Sequence, residues 1–278
     1  MILISDSGST KSTWIAIDHD KVFRHTTAGI NALQMDEQQI SNILHDIPQW
    51  GRIDEVWFYG AGCGKSFPQS RQRIFPLLTQ RFDTTNCHTE SDLTAAARAL
   101  FADDEGIACI LGTGSNSCVT RQGEVVQNTP PLGFILGDEG SGADLGRHLI
   151  NGIYKGFIPL KDELETTIGL RYEQILQRIY RHEGANRFLA SFAPFIHTHL
   201  DCPEVAEMVS ERFRQFARRN LAFYPHDLEV GFVGSIAYYF GDLLRQTLLE
   251  EGFGVTRIEQ TPDSGLINYH QHDEKRTK

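Results

Sequence analysis

Two short segments of this chain carry the residue types that hold phosphate. The first is Asp6-Ser7-Gly8-Ser9-Thr10-Lys11-Ser12, a turn rich in Gly, Ser and Thr between two strand-like runs. Such a hairpin aims several backbone N–H groups and hydroxyls at one concave point, the arrangement that receives a polyanion. An aspartate at the strand end would repel phosphate, so Asp6 implies a divalent cation between the two. An ordinary polar β-turn would use the same residues. The second segment, Ile110-Leu111-Gly112-Thr113-Gly114-Ser115-Asn116-Ser117, is again Gly-rich and again lies between strand-like runs. A third, from Val230 to Ala237, passes from a strand through Gly234-Ser235 into a helix. A small residue there lets adenine or ribose approach a helix start. A tight strand-to-helix turn accounts for it equally.

The elements that must position these segments follow from hydrophobic spacing. Strands are predicted over Met1 to Ser5, Thr13 to Ile17 and Lys21 to Thr27, then a helix over Asp36 to Ile47, where Ile40, Ile43, Leu44 and Ile47 share a face. A strand at Glu55 to Tyr59, a helix at Phe67 to Phe82, a short strand at Cys87 to Glu90 and an alanine-rich helix at Asp92 to Leu100 complete the order. From Gly106 that order starts again, with strands at Ile107 to Leu111, Ser117 to Thr120 and Val125 to Gln127. A long helical middle, Glu139 to Tyr224, is interrupted by Gly152, Gly156, Pro159, Gly184 and Pro203. A strand at Val230 to Val233, a helix at Ile236 to Glu251, a strand at Val255 to Glu259 and a helical piece after Pro262 close the chain. The repetition predicts two α/β domains of one topology, 1–104 and 105–278, with the last helix able to return to the first domain. Two phosphate-type hairpins at matching places in two such domains point to a nucleotide cleft.

Composition narrows the partners. The 278 residues are 40% hydrophobic and 22% charged, a profile able to bury a core. A formal net charge of −10 without a basic stripe excludes nucleic acid as a natural partner. No apolar run reaches the length of a membrane span, and no charged leader with an apolar core opens the chain, so a cytoplasmic location is expected. Cys63, Cys87, Cys109, Cys118 and Cys202 form no CxxC pair and suit reduced thiols better than disulfides or zinc. The histidines offer no ligand constellation. Gly60-Ala61-Gly62-Cys63-Gly64-Lys65-Ser66 imitates a P-loop, but Tyr59 stands where the first glycine must be. It reads better as a strand-helix connection.

The hairpins Asp6–Ser12 and Leu111–Ser117 and the strand-turn Gly231–Ala237 resemble the phosphate-1, phosphate-2 and adenosine motifs of the sugar kinase/Hsp70/actin superfamily. Together with Glu90-Ser91-Asp92 and the stretch Leu136 to Gly146, their order resembles the N-acetylglucosamine kinase and BadF/BadG-type ATPase family, from Met1 to about Ser264. The resemblance implies two actin-like (RNase H-like) α/β domains with an interdomain ATP/sugar cleft. It also implies ATP- and Mg²⁺-dependent phosphorylation of an amino sugar, with N-acetylglucosamine and its 6-hydroxyl foremost, and a homodimer through the helical middle. By the same resemblance Ser9, Thr10 and Ser12 would contact phosphates, Thr113 and Gly114 would face them from the second domain, and Gly234 and Ser235 would line the adenosine site. Asp6 would hold Mg²⁺ through water. Asn31, Asp92, Asn116 and Asp138 would bind sugar, with Asp92 as catalytic base. On local grounds Asp92 and Asp138 could each simply cap the helix that follows. An ATPase activator of an iron–sulfur dehydratase and a non-catalytic sugar sensor are the competing functions, the first needing cysteines placed to hold a cluster.

Overall fold

The computed structural model describes every residue except Ser9, Lys65, Ser66, Thr277 and Lys278. The chain divides into two compact units. Unit 1 comprises Met1–Glu105, Thr120–Val126 and Thr261–Lys278, and unit 2 comprises Gly106–Val119 and Gln127–Gln260.

Unit 1 is built on strands β1 (Ile2–Ser7), β2 (Lys11–Asp18) and β3 (Lys21–Ala28), helix α1 (Glu37–His45), strand β4 (Glu55–Gly60), helix α2 (Pro68–Phe82), strand β5 (Cys87–Ser91) and helix α3 (Asp92–Phe101). The sheet runs β3-β2-β1-β4-β5. Its β1–β2 and β2–β3 pairs are antiparallel and its β1–β4 and β4–β5 pairs parallel. Successive side chains of a strand point to opposite faces, and here the two faces feed two cores. Leu3, Trp14, Val56 and Phe58 pack with Ile40 and Leu44 of α1 and Ile74 and Leu78 of α2. Ile2, Ile4, Ile15 and Tyr59 pack instead with Ala95 of α3 and Leu266. Coverage on both faces explains why β1 reads as an unbroken apolar run. Asp36 caps α1 in a reciprocal box with Gln39.

Unit 2 repeats the plan. Strands β6 (Gly106–Leu111), β7 (Ser115–Arg121) and β8 (Glu124–Thr129) precede six helices: α4 (Gly133–Leu136), α5 (Gly142–Tyr154), α6 (Lys161–Ile168), α7 (Tyr172–Arg181), α8 (Ala185–Ala190) and α9 (Ala193–Thr198). Helix α10 (Pro203–Phe216) follows and ends in a π-turn over Ala217–Leu221. Strand β9 (Val230–Val233), helices α11 (Ser235–Tyr239) and α12 (Gly241–Glu250) and strand β10 (Val255–Glu259) complete it. The sheet order β10-β9-β6-β7-β8 mirrors the first sheet strand for strand, with β6–β9 and β9–β10 parallel. Pro203 opens α10 at its first turn, where a missing N–H costs nothing. The single helix expected over Ile236 to Glu251 is two, separated at Phe240.

The last helix, α13 (Asp263–Arg276), belongs to unit 1 and packs on α3. The approach is close enough that a Cβ on Gly265 would sit 2.2 Å from the Ala99 carbonyl oxygen. Only glycine fits there. Arg98 of α3, 7% exposed, is spent on this packing: it donates to the Tyr59 hydroxyl at 2.8 Å and to the Gly123 carbonyl at 3.1 Å. Its guanidinium also lies 5.1 Å from the rings of Trp57 and Tyr269. No described helix is long and apolar enough to cross a membrane.

Candidate active site

In unit 1 the chemistry gathers at the carboxyl ends of β1 and β5. Asp6, the penultimate residue of β1, is pushed up to about 7, by burial first and then by the negative charges of Asp263 and Asp92, with Lys11 opposing. Burial also raises Asp92 and Asp263. Asp263 Oδ1 is buried without a hydrogen-bond partner. Asp6 is thus lifted by two neighbouring carboxylates that Lys11, and at Asp263 also Arg24, only partly offset, and one oxygen of Asp263 is orphaned. Among the described residues no group of three or more His, Cys, Asp or Glu is close enough to grip a metal directly. The donor set therefore suits a hydrated cation held through water, as Mg²⁺ usually is. Asp263 escaped the sequence reading because it lies far along the chain, in a stretch whose only signal was the helix start after Pro262.

Asp92 does not cap its helix. Ser91 does: its hydroxyl accepts from the Thr94 N–H at 3.0 Å, and Asp92 occupies the first helical position, with Oδ1 accepting from Leu93 N–H at 2.9 Å. Asp138 does not cap either, since Ser141 caps α5. The local capping reading of both aspartates is thus corrected, and the reason is the same: a serine stands beside each helix start and takes the job.

Ser12 also departs from expectation. It is wholly buried, and its hydroxyl lies 2.5 Å from that of Ser7. Because the Ser7 hydroxyl donates to the Ile30 carbonyl at 3.1 Å, the proton between the two serines comes from Ser12. Its side chain is hydrogen-bonded inside the hairpin. Ser7, which the motif reading passed over, also accepts from Ile30 N–H at 3.0 Å, so it clamps the chain just before Asn31. Asn31 Oδ1 accepts from Leu33 N–H at 3.0 Å and stands 3.2 Å from where a Cβ on Gly62 would be. The glycine-rich connection after β4 thus runs beside Asn31, and its Gly64 lies against Ser91. The thiol of Cys63 in that connection is pushed up to about 12, by burial first and by the charge of Asp92 next. Asn31, Asp6, Asp92 and Asp263 are therefore gathered by one unit. Ser9, the remaining phosphate candidate beside Thr10, lies outside the described residues.

Unit 2 gathers the other set. The turn Gly112–Gly114 is pinned by the helix start that follows it: Gly142 N–H donates to the Gly112 carbonyl at 2.8 Å and Ala143 N–H to that of Thr113 at 3.1 Å. Asp138 lies over the same turn, with Oδ1 3.4 Å from Ser115 N and Oδ2 3.0 Å from where a Cβ on Gly114 would be. Asp138 itself has a φ of 56°, in the left-handed region costly for a residue with a side chain. The loop holding it is braced by Asp144, whose Oδ2 accepts from Gly140 N–H at 3.0 Å. Burial works to raise Asp144, but His148, Gly140 N–H and Arg147 outweigh it and hold it low. Gly234, at φ 126°, joins this cluster from β9, since a Cβ there would fall 2.3 Å from the Leu111 carbonyl. Ser235 opens the helix beyond it. Asn116, on β7, shares its Oδ1 with Ser117 N–H at 2.9 Å and Asn128 at 3.0 Å.

No protein-family profile and no curated protein matches the chain. Solved structures do. A protein of Porphyromonas gingivalis provisionally described as an N-acetylglucosamine kinase is 40% identical over 99% of this chain and 100% of its own, with a TM-score of 0.94. One of Chromobacterium violaceum, described in the same terms, is 17% identical over 96% and 98%, with a TM-score of 0.70. A ROK family glucokinase of Streptomyces griseus, solved with glucose and AMPPNP, is 13% identical over 96% and 97%, with a TM-score of 0.57. The last two speak to the fold alone.

Proposed function

This chain belongs to the N-acetylglucosamine kinase and BadF/BadG-type ATPase family of the sugar kinase/Hsp70/actin superfamily, and from that premise we propose that it transfers the γ-phosphate of ATP to an amino sugar, foremost the 6-hydroxyl of N-acetylglucosamine. The observation that carries the reading is Asp92: a desolvated carboxyl just past the end of β5, relieved of capping by Ser91 and raised by burial above the usual carboxylate range.

In this reading Asp92 accepts the proton of the sugar hydroxyl as its oxygen bonds to the γ-phosphorus and ADP departs. Asn31, Asn116 and Asp138 bind the sugar, and the Asn31 and Asp138 loops are fixed by Ser7 and Asp144. Thr10, with Ser9, and the turn at Thr113-Gly114 receive the phosphates. Gly234 and Ser235 lie against the adenosine. Asp6, with Asp263 beside it, would hold Mg²⁺ through water, and the bound ion would shield charge on the phosphates. The iron–sulfur alternative draws no support from the thiols. Cys63, Cys87, Cys109 and Cys118 are buried, and burial pushes each above the usual thiol range, the reverse of what cluster ligation needs.

A coupled assay of ATP consumption with N-acetylglucosamine, N-acetylmuramic acid, N-acetylmannosamine, glucosamine and glucose tests this reading. Asp92→Asn should lose about 10² to 10⁴ in turnover while still binding ATP, and Asp138→Asn should chiefly raise the sugar KM. Full turnover in Asp92→Asn, or ATP consumption indifferent to every sugar, would overturn it.

A further inference from the structure

Unit 2 carries a cavity of about 370 Å³ that the proposed reaction does not use. Arg147 of α5 and Arg212 and Arg219 of α10 and the turn after it line it, with Glu139, and Ile135 and Leu136 stand at its edge. Three guanidinium groups in one concavity are unexpected in a chain of net charge −10. Their charge is unevenly balanced. Arg147 donates to Asp144 at 2.7 Å and Arg219 to Glu139 at 3.3 Å. Arg212, only 16% exposed, has no carboxylate in contact that is its own. Glu211 approaches it at 3.7 Å but is already held by Arg214 and Gln215, each at 2.7 Å. Its nearer partner is His148. With the proton on Nδ1, shared with the Asp144 carbonyl at 2.9 Å, His148 offers Nε2 to Arg212 at 3.1 Å. That ring orients the guanidinium without neutralising it. A largely desolvated cation lacking a committed counterion is costly unless an anion arrives.

The cavity is distinct from the residues assigned to sugar. Asp138 turns its oxygens to Gly114 and Ser115, whereas the residues on either side of it, Gly137 and Glu139, line the cavity. We infer that this cavity is a second binding site, and that it takes a phosphate monoester on a compact organic body. One arginine fork satisfies a carboxylate, but Arg212, with Arg147 and Arg219 lining the same concavity, offers more than one fork to the three oxygens of a dianionic phosphate. A nearly wholly polar lining suits a hydroxyl-bearing organic part, and the volume is that of a small-metabolite site. Because Glu139 and Gly137 flank Asp138, occupancy bears directly on the loop that holds it.

Calorimetric titration of the full chain at fixed ionic strength tests this, with inorganic phosphate, glucose 6-phosphate and succinate as probes. Glucose 6-phosphate should bind more tightly than inorganic phosphate, and both more tightly than succinate. Arg212→Lys, which keeps the charge and loses the fork, should weaken glucose 6-phosphate about ten-fold or more. Arg219→Gln, at a 64% exposed position where folding is not at stake, should do the same. Asp138→Asn should leave the affinity unchanged. Equal affinity in the wild type and both arginine variants, loss in Asp138→Asn instead, or succinate binding as tightly as the sugar phosphate would each overturn the assignment. Binding is read without turnover, so absence of kinase activity would not count against the site.

Discussion

At the scale of single residues, the carboxyl group of Asp6 is the most strained electrostatically. In the unfolded chain it ionises near 3.8, and in the folded one near 7. The folded state therefore bears no penalty for it below the first value, a growing one between the two, and the full one above about 7. Asp6→Asn should raise the melting temperature of the metal-free protein, by more at pH 8 than at pH 5, while abolishing phosphoryl transfer. A gain equal at both pH values would mean that the carboxyl is not desolvated. Some residue roles could be read from sequence and others could not. A glycine at position 234 was expected either for a bound adenosine or for a tight strand-to-helix turn, and in the structure a Cβ there would meet the Leu111 carbonyl. Ser91 against Asp92 was not decidable, because both are good capping residues and adjacent positions compete for the same N–H groups. The burial of the Ser12 hydroxyl was not legible, because a motif read as a string does not reveal which hydroxyls alternate into the sheet.

At the scale of elements, α13 is held to β4 and α3 through a buried relay. The Tyr59 hydroxyl accepts from Arg98 and shares a hydrogen bond of 2.9 Å with His270 Nε2. Trp57, Tyr269 and the Arg98 guanidinium surround that imidazole, and burial, then the charges of Arg98 and His88, drive His270 down to about 3. The folded state keeps His270 neutral where the unfolded chain, with an ordinary value of 6.5, would take up a proton. Stability contributed here is whole above about 6.5 and is lost toward about 3, at up to about 1.4 kcal/mol per pH unit. Denaturant titrations from pH 7 to pH 4 should show that slope in the wild type and a shallower one in His270→Gln. Identical slopes would remove His270 from the acid response. The element order was largely legible, because β1, β4, β6 and β9 are apolar runs bounded by Gly and polar turns. The break at Phe240 was not, because Gly241 beside it reads as a tolerated glycine inside a helical pattern.

At the scale of the whole molecule, the repeat of strand order in the two sheets was predictable from spacing and the last helix was expected to be able to return to the first domain, but the contacts that anchor it there follow from no local pattern. The fit of Gly265 against Ala99 and of Leu266 into the core under β1 and Tyr59 joins residues far apart in sequence. All three tryptophans, Trp14, Trp50 and Trp57, lie within Met1–Glu105, so indole fluorescence follows unit 1. A chain ended at Gln260 keeps every residue of unit 2 yet loses α13. Its fluorescence-monitored melting should become broad and shift down, while far-ultraviolet dichroism retains a cooperative helical transition from unit 2. An unchanged fluorescence transition would show that α13 adds nothing to unit 1. The placement of that helix also sets an order on biosynthesis. A ribosome makes β1 to α3 first, then the whole of unit 2, and only afterwards the segment bearing Asp263, Gly265 and His270. The nascent protein must therefore carry an uncovered sheet face and an incomplete carboxylate cluster until that segment has emerged.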